Sequence, residues 1–248
     1  MLNIAIISDI HGNLPALNAV LADISQRGAD QIYCLGDLTD AAPWHNEVIS
    51  LIRRRHIPVI MGNHDERIAF DLPIVPLSKH GPEETAARIT AINYTKATIT
   101  PDNSRFLANL PAFIQLHFGR YKLMLAHGSL RSNDEYLYQQ HDEDDLFQMM
   151  QQQQADALVV GHTHISYIRH LYNGEKLLVN AGSVGRTKEQ DGMATYVLLQ
   201  IDQHHTGAPA AFFNPVIRKV AYPLEETLEG IRSSPIPDFY AGLLAVRI

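Results

Sequence analysis

Five short stretches carry ligand-type side chains, four of them with a turn-forming glycine: Asp9-Ile10-His11, Gly36-Asp37, Gly62-Asn63-His64-Asp65, Ala126-His127-Gly128 and Gly161-His162-Thr163-His164. Each begins where an apolar run ends. Carboxylate, imidazole and amide oxygen are the donors that bind Mn²⁺, Zn²⁺ or Fe²⁺, and one carboxylate can bridge two ions. Asp9, His11, Asp37, Asn63, His127, His162 and His164 make seven such donors, a number that suits two metals and not one. Two metals about 3.5–4 Å apart clamp an in-line phosphoryl displacement and make hydroxide available near neutral pH. The imidazoles of His162 and His164 point the same way in an extended segment and splay to two ions in a loop.

These stretches need elements to position them. Residues 3–8 read as a strand buried on both faces, and Leu14 to Gln26 carries apolar residues at helical spacing. Gln31 to Leu35 reads as a second strand, Glu47 to Arg55 as a helix and Ile57 to Met61 as a third strand, with Gly62 opening a tight turn. Strands alternating with helices imply a parallel, helix-covered α/β sheet with ligands at the carboxyl ends of its strands. Helices are expected from Gly81 to about Thr98 and from Thr100 to Leu110, as an insertion at about 81–110 flanking the site. Strands Phe113–His117 and Tyr121–Ala126 follow, then a polar helix over 142–153. The second half is strand-rich: Ala157–Val160, Ser166–Leu171, Lys176–Val179, Thr195–Ile201 and Ala211–Val220. A helix at Leu224–Ile231 and a packed tail from Pro235 close a single domain, 1–248, of two packed sheets.

The net charge of −7 argues against broad attraction to nucleic acid or anionic lipid, so an anionic substrate needs local cations. Cys34 is the only cysteine, which excludes an internal disulfide and suits a reducing compartment. Neither a signal peptide nor an 18-residue apolar run is evident, and a cytoplasmic location is expected.

The five blocks in this order resemble the signature of the calcineurin-like metallophosphoesterase superfamily, covering residues 9–164. Ser8-Asp9-Ile10-His11-Gly12-Asn13 and Asn180-Ala181-Gly182-Ser183-Val184-Gly185 resemble its bacterial branch of small phosphodiesterases and diadenosine tetraphosphatase relatives. The resemblance implies a four-layer α-β-β-α sandwich of two mixed sheets. It implies Asp9, His11 and His164 on one metal, Asn63, His127 and His162 on the other, and Asp37 bridging. It also implies that a metal-held hydroxide attacks phosphorus while His64 gives a proton to the leaving oxygen, with Asp40 orienting His64. Manganese is the expected ion, with iron, zinc, nickel or magnesium as alternatives. The expected substrate is a phosphodiester, or a small phosphorylated metabolite or nucleotide. A phosphomonoesterase, a protein phosphatase and a catalytically silent metal-binding scaffold are the alternatives. Protein phosphatases of the superfamily have Arg-Gly after the Asp; here Ala41-Ala42 follow Asp40, leaving Arg67 and Arg186 as candidates to grip phosphate.

Other residues invite plainer readings. The histidines outside the blocks, His45, His56, His80, His117, His141, His170, His204 and His205, default to surface or packing roles. Arg53-Arg54-Arg55 closes a helix, where cations complement the dipole. Ser129 lacks a Gly-x-Ser-x-Gly elbow, and no Walker or dinucleotide glycine loop is present. The glutamines at 151–154 read as a solvated helix face. Trp44, Tyr136 and Tyr138 fall in loops expected to face the site, where packing outweighs base stacking. Cavity walls are expected from Thr39–His45, the helices at 81–110 and Arg131–Tyr138.

Overall fold

The computed structural model describes residues 1–77, 80–202 and 207–246; His204 and His205 lie outside them. Strand β1 (Leu2–Ile7) pairs in parallel with β2 (Gln31–Cys34) through the crossover helix α1 (Leu14–Arg27). Asn13 starts α1 by accepting the Ala16 N–H, and Gly28 ends it at φ +69°. After α2 (His45–Arg54), the expected strand over Ile57–Met61 reduces to one parallel bridge, Val59 to Cys34. Pro58 has no N–H to extend the ladder, and the Met61 N–H turns away to Pro111 O at 2.9 Å.

The tight turn expected at Gly62 is instead the start of α3 (Asn63–Ala69). Asp65 reaches back to the Gly62 N–H at 3.2 Å, so a helix begins where a turn was expected. Helices α4 (Pro82–Thr98) and α5 (Pro101–Ala108) come next, each with proline in its first turn. The basic end of α2 grips α5: Arg53 donates to Asn103 at 3.0 Å and its guanidinium lies 5.3 Å from the Phe106 ring centre.

The β3 (Phe113–Phe118) and β4 (Tyr121–Ala126) hairpin leads to α6 (Glu143–Gln152), β5 (Ala157–Val160), β6 (Tyr167–Leu171) and β7 (Lys176–Asn180). Strand β8 (Ala194–Ile201) follows, then a one-turn helix α7 (Pro209–Phe212) and β9 (Phe213–Val220). Ala211 and Phe212 therefore belong to a helix and not to the strand expected from Ala211. The chain closes with α8 (Leu224–Arg232) and α9 (Phe239–Ala245), so the tail after Pro235 is helical as well as packed.

The strands form two mixed sheets, in the orders β2-β1-β8-β9 and β3-β4-β5-β7-β6. Alternation along each strand assigns the layers. In β1, Ile4 and Ile6 join Leu123, Leu125, Val159, Leu177, Val179 and Val197 between the sheets. Ala5 and Ile7 face the other way and pack with Leu17, Val20 and Ile24 of α1. On the second sheet, Met124, Leu158 and Val160 pack outward against Leu146, Met149 and Met150 of α6. The result is a four-layer α-β-β-α sandwich, as the resemblance implied.

Two loops cross at the carboxyl end of β1. The Gly185 N–H donates to Asp9 O at 3.0 Å, and a Cβ at Gly185 would lie 1.8 Å from Ile10 O. Asn13 ties the crossing together by donating to Gly185 O at 2.9 Å and accepting from Thr227 Oγ1 at 3.0 Å. We therefore expect Gly185→Ala to destabilise the fold by about 1–3 kcal/mol through overpacking. A denaturation midpoint equal to that of the parent protein would show that the crossing accommodates a side chain.

Candidate metal centre and active-site cavity

The strand ends deliver the candidate ligands to one point. Asp9 and His11 follow β1, Asp37 follows β2, Asn63 opens α3, His127 follows β4, and His162 and His164 follow β5. All seven are buried, Asn63 being the most exposed at 8%. Asp9, His11, Asp37, His162 and His164 have φ between +50° and +64°, a left-handed conformation uncommon outside glycine. The loops hold one another there: the Asp9 N–H donates to Gly36 O at 3.0 Å, the His11 N–H to Asp37 O at 2.9 Å and the Gly161 N–H to His127 O at 2.8 Å. Gly36, at φ +91°, and Gly62 let their backbones meet; a Cβ at Gly62 would lie 2.1 Å from Asp37 Oδ1.

The donor atoms form two sets. One atom each from Asp9, His11, Asp37 and His164 lie within 4.8 Å of one another, as do those of Asp37, His127 and His162. Asp37 belongs to both, its Oδ2 lying 3.7 Å from His11 Nε2 and 3.3 Å from His127 Nε2. Asn63 Oδ1 lies 3.2 Å from His127 Nε2 and so joins the second set. His162 and His164 splay to different sets, as loop residues can.

Orientation comes from behind the ligands. Nδ1 of His11, His127 and His164 meets the carbonyls of Thr39, Leu35 and Arg186 at 3.0, 2.8 and 2.6 Å. Carbonyls only accept, so each Nδ1 carries a proton and each Nε2 is turned inward. Asp9 Oδ2 accepts from Ser8 Oγ at 2.6 Å and the His162 N–H at 2.9 Å, leaving Oδ1 to face inward.

The residues fit divalent metal. Asp9 Oδ1, Asp37 Oδ2 and His162 Nε2 are buried without a hydrogen-bond partner. His11 Nε2 and His164 Nε2 face each other at 3.1 Å, an arrangement of two lone pairs that needs a cation beside it. Burial pushes the His11, His162 and His164 rings down, His162 to about 3, so they are neutral donors. Burial alone would raise Asp9 and Asp37, but His164 at Asp9 and His127 at Asp37 hold both carboxyls well below the usual range. The Asp37 charge outweighs burial at His127 and pushes it up to about 10, so a metal bound there would displace a proton from its Nε2.

His64 stands beside the two sets without joining either. Its N–H donates to Asp37 Oδ1 at 2.9 Å, its Nδ1 lies 2.6 Å from Asp40 Oδ2, and its ring packs edge-on against His11 at 5.0 Å. The side chain is 16% exposed and lines a cavity of about 280 Å³ that opens over the donor sets.

The cavity walls differ in part from expectation. Arg131–Tyr138 contributes Asn133, Asp134 and Tyr136, and α4 contributes Glu84 and Arg88. Residues 39–45 do not line it. Ala41 and Ala42 are buried against Leu228, Ile231 and Tyr240, and the Trp44 indole covers Gly230 of α8. Leu72, Pro73, Val75 and Leu77 supply the missing wall, with Tyr240 of α9. His80, given a surface or packing role, also lines the cavity. Of the three aromatics only Tyr136 reaches it, with its ring 3.9 Å from that of His162; Tyr138 stacks behind at 5.6 Å.

Several contributors escaped the sequence reading. Asp65 accepts the Leu38 and Gly62 N–H groups, pinning the loop after β2 to α3; burial, then the Asp37 charge, pushes its carboxyl up to about 8. Ser183 Oγ donates to Asp9 O at 2.8 Å, and Asn180 Nδ2 to Gly161 O at 2.7 Å. The motif at 180–185 therefore clamps two ligand loops, a role its glycines and its Asn and Ser were signalling. Lys188 and Arg88 also line the cavity, where the packing of their segments places them. Ser129 Oγ donates to Glu135 within its own loop, which accounts for it structurally.

Similarity to known proteins agrees with this geometry. The chain is 31% identical over 251 residues to the uncharacterized protein MJ0912 of Methanocaldococcus jannaschii, covering 95% of this chain and 94% of that one. The crystal structure of a metallophosphoesterase from Sphaerobacter thermophilus is 25% identical, covers 100% of this chain and 99% of that one, and superposes with a TM-score of 0.77. The hypothetical protein PH1004 of Pyrococcus horikoshii OT3 shares the fold, with a TM-score of 0.80 at 19% identity and 98% of each chain covered. The profile of the calcineurin-like phosphoesterase superfamily domain matches residues 2–204, and with its ligand loops in place the chain belongs to that superfamily.

Proposed function

We propose that the protein is a metal-dependent phosphoesterase that hydrolyses a phosphodiester of a small molecule. The observation that carries this reading is the sharing of one buried carboxylate oxygen, Asp37 Oδ2, by two donor sets, with His64 alongside and a cavity above. Asp9, His11 and His164 would hold one divalent ion and Asn63, His127 and His162 the other, with Asp37 bridging. When bound, the ions supply Lewis-acid chemistry, polarising the phosphoryl oxygens and acidifying water.

The chain's own residues do the rest. Asp40 Oδ2 holds the Nδ1–H of His64, which leaves Nε2 to carry the transferable proton. As the bond from phosphorus to the leaving oxygen breaks, that oxygen takes the Nε2 proton, and the Asp40 charge stabilises the ring while it is protonated. Asp37 Oδ1 fixes the backbone of His64, so the acid and the bridging ligand move together. Arg186, whose carbonyl orients His164, lies with its guanidinium 5.1 Å from the Tyr240 ring centre and supplies positive charge at the cavity in place of the missing Arg after Asp40. A cavity that extends beyond His64 to residues 72–77 leaves space for the second arm of a diester.

The direct test is metal content together with hydrolysis of bis-p-nitrophenyl phosphate and p-nitrophenyl phosphate, with Mn²⁺ and then with a chelator. About two metals per chain and chelator-sensitive turnover, faster on the diester, are expected. Faster monoester turnover would reassign the substrate class, and full occupancy without turnover on either would favour a scaffold. Asp37→Asn is expected to lose metal and rate together, and two metals retained in that variant would remove the bridge assignment. His64→Ala is expected to lower kcat by about 10²–10⁴ while keeping its metal. Asp40→Asn should lower kcat in the same direction by a smaller factor; parental kcat in either variant would remove that residue from the proton-transfer step.

A further inference from the structure

The cavity carries two cations for which the proposed hydrolysis has no use. Arg67 lies on α3 three residues beyond His64, about 4.5 Å further along the helix axis. Arg88 lines the same cavity from α4 and is only 7% exposed, a rare state for arginine. A guanidinium has five N–H donors, and the acceptor that Arg88 finds is a single carbonyl, Val75 O, at 2.9 Å. Arg67 Nη1 is buried and has no hydrogen-bond partner. Of the carboxylates on the cavity wall, Glu66 accepts from Asn133 at 3.0 Å, Glu84 lies 3.3 Å from His80, and Asp134 is largely exposed and lies 3.9 Å from His162.

Holding a buried guanidinium beside a half-buried one, with no carboxylate hydrogen-bonded to either, is unfavourable. Burial, followed by repulsion from Arg67, lowers the Arg88 pKa, as expected for a cation short of negative partners. Paired guanidiniums offer the planar forks that match a phosphate dianion. Arg67 lies three residues along α3 from His64, and Arg88 belongs to α4, an element that carries none of the candidate ligands.

We propose that Arg67 and Arg88 form a second anion subsite that binds a phosphate other than the one cleaved, and hence that the substrate is a small molecule bearing two phosphoryl groups. The assignment rests on the phosphoesterase reading for the group being cleaved. One helical turn from His64 is the separation spanned by neighbouring phosphates of a diphosphate or by the two ends of a compact bisphosphate. The apolar wall at Leu72, Pro73 and Val75 then faces the organic part of the molecule.

The test uses the metal-loaded protein and two readouts. Calorimetric titration with inorganic phosphate is expected to find two phosphates per chain in the parent protein and one in Arg67→Gln. This readout does not require turnover, so it judges the subsite even if the hydrolase reading fails. In competition with p-nitrophenyl phosphate, adenosine 3′,5′-bisphosphate should bind at least about tenfold more tightly than AMP, the scale of one or two charge-assisted hydrogen bonds. That advantage should fall to about threefold or less in Arg67→Gln, and also in Arg88→Lys, which keeps a buried cation but loses the fork. One phosphate per parent chain would overturn the subsite, as would a bisphosphate advantage that survives both substitutions. Equal weakening of AMP and the bisphosphate would overturn it too, by showing that the arginines grip the cleaved group.

Discussion

The carboxylate of Asp37 is the constraint on which the rest of this structure depends. It is buried, ionised, and shared: Oδ2 faces His11 and His127 from opposite donor sets, and Oδ1 accepts the backbone N–H of His64. A buried carboxylate costs several kcal/mol unless it is compensated, and compensation here comes from groups on three separate loops. The loops must therefore arrive together, and the sheets must bring them. Pairing β1 with β2 and β4 with β5 in parallel stacks the carboxyl ends of these strands side by side, where Asp9, Asp37, His127 and His162 emerge.

Holding acceptor groups that close together has a backbone cost. Five of the seven candidate ligands adopt left-handed φ values, each uncomfortable for a residue with a Cβ. The cost is offset by hydrogen bonds running from loop to loop, and by the second ring of Asn13, Asp65, Asn180 and Ser183, each of which joins two segments distant in the chain. None of these four touches the centre, yet each sets where a ligand points. The same logic governs the imidazoles, whose outer nitrogens are spent on backbone carbonyls so that the inner ones face the centre.

The substrate side is built from different material. In this chain the segment after Asp40 is committed to packing, with Ala41 and Ala42 under α8 and α9, so positive charge reaches the cavity from elsewhere. It comes from α3, α4 and the loop after β7, through Arg67, Arg88, Arg186 and Lys188. An acidic protein thus gathers four basic side chains at a cavity whose wall also carries Asp37, Glu66, Glu84 and Asp134, so that charge there is balanced where the net charge of the chain is negative.

Much of this was legible in the chain itself. Apolar runs ended by Asp, His or Asn marked the strand ends, because a buried strand must be apolar and a ligand must lie beyond it; helix caps such as Asn13 and Thr100 are local too. The failures have two causes, contacts distant in the chain and a local helix cap at Gly62. Ile57–Met61 looked like a strand, but whether it extends a ladder depends on its neighbours and on Pro58; Gly62 looked like a turn until Asp65 capped a helix there. Trp44 looked site-facing because its contact, Gly230, is nearly two hundred residues away in the sequence. Residue types by themselves determined the donor inventory and the fold class, since both follow from chemistry and hydrophobic period. Only the tertiary structure decided that Asp37 serves both sets, that His162 and His164 part company, and that Arg67 and Arg88 meet in one cavity. Those are distances between residues far apart in the chain, and long-range packing, not local preference, sets them.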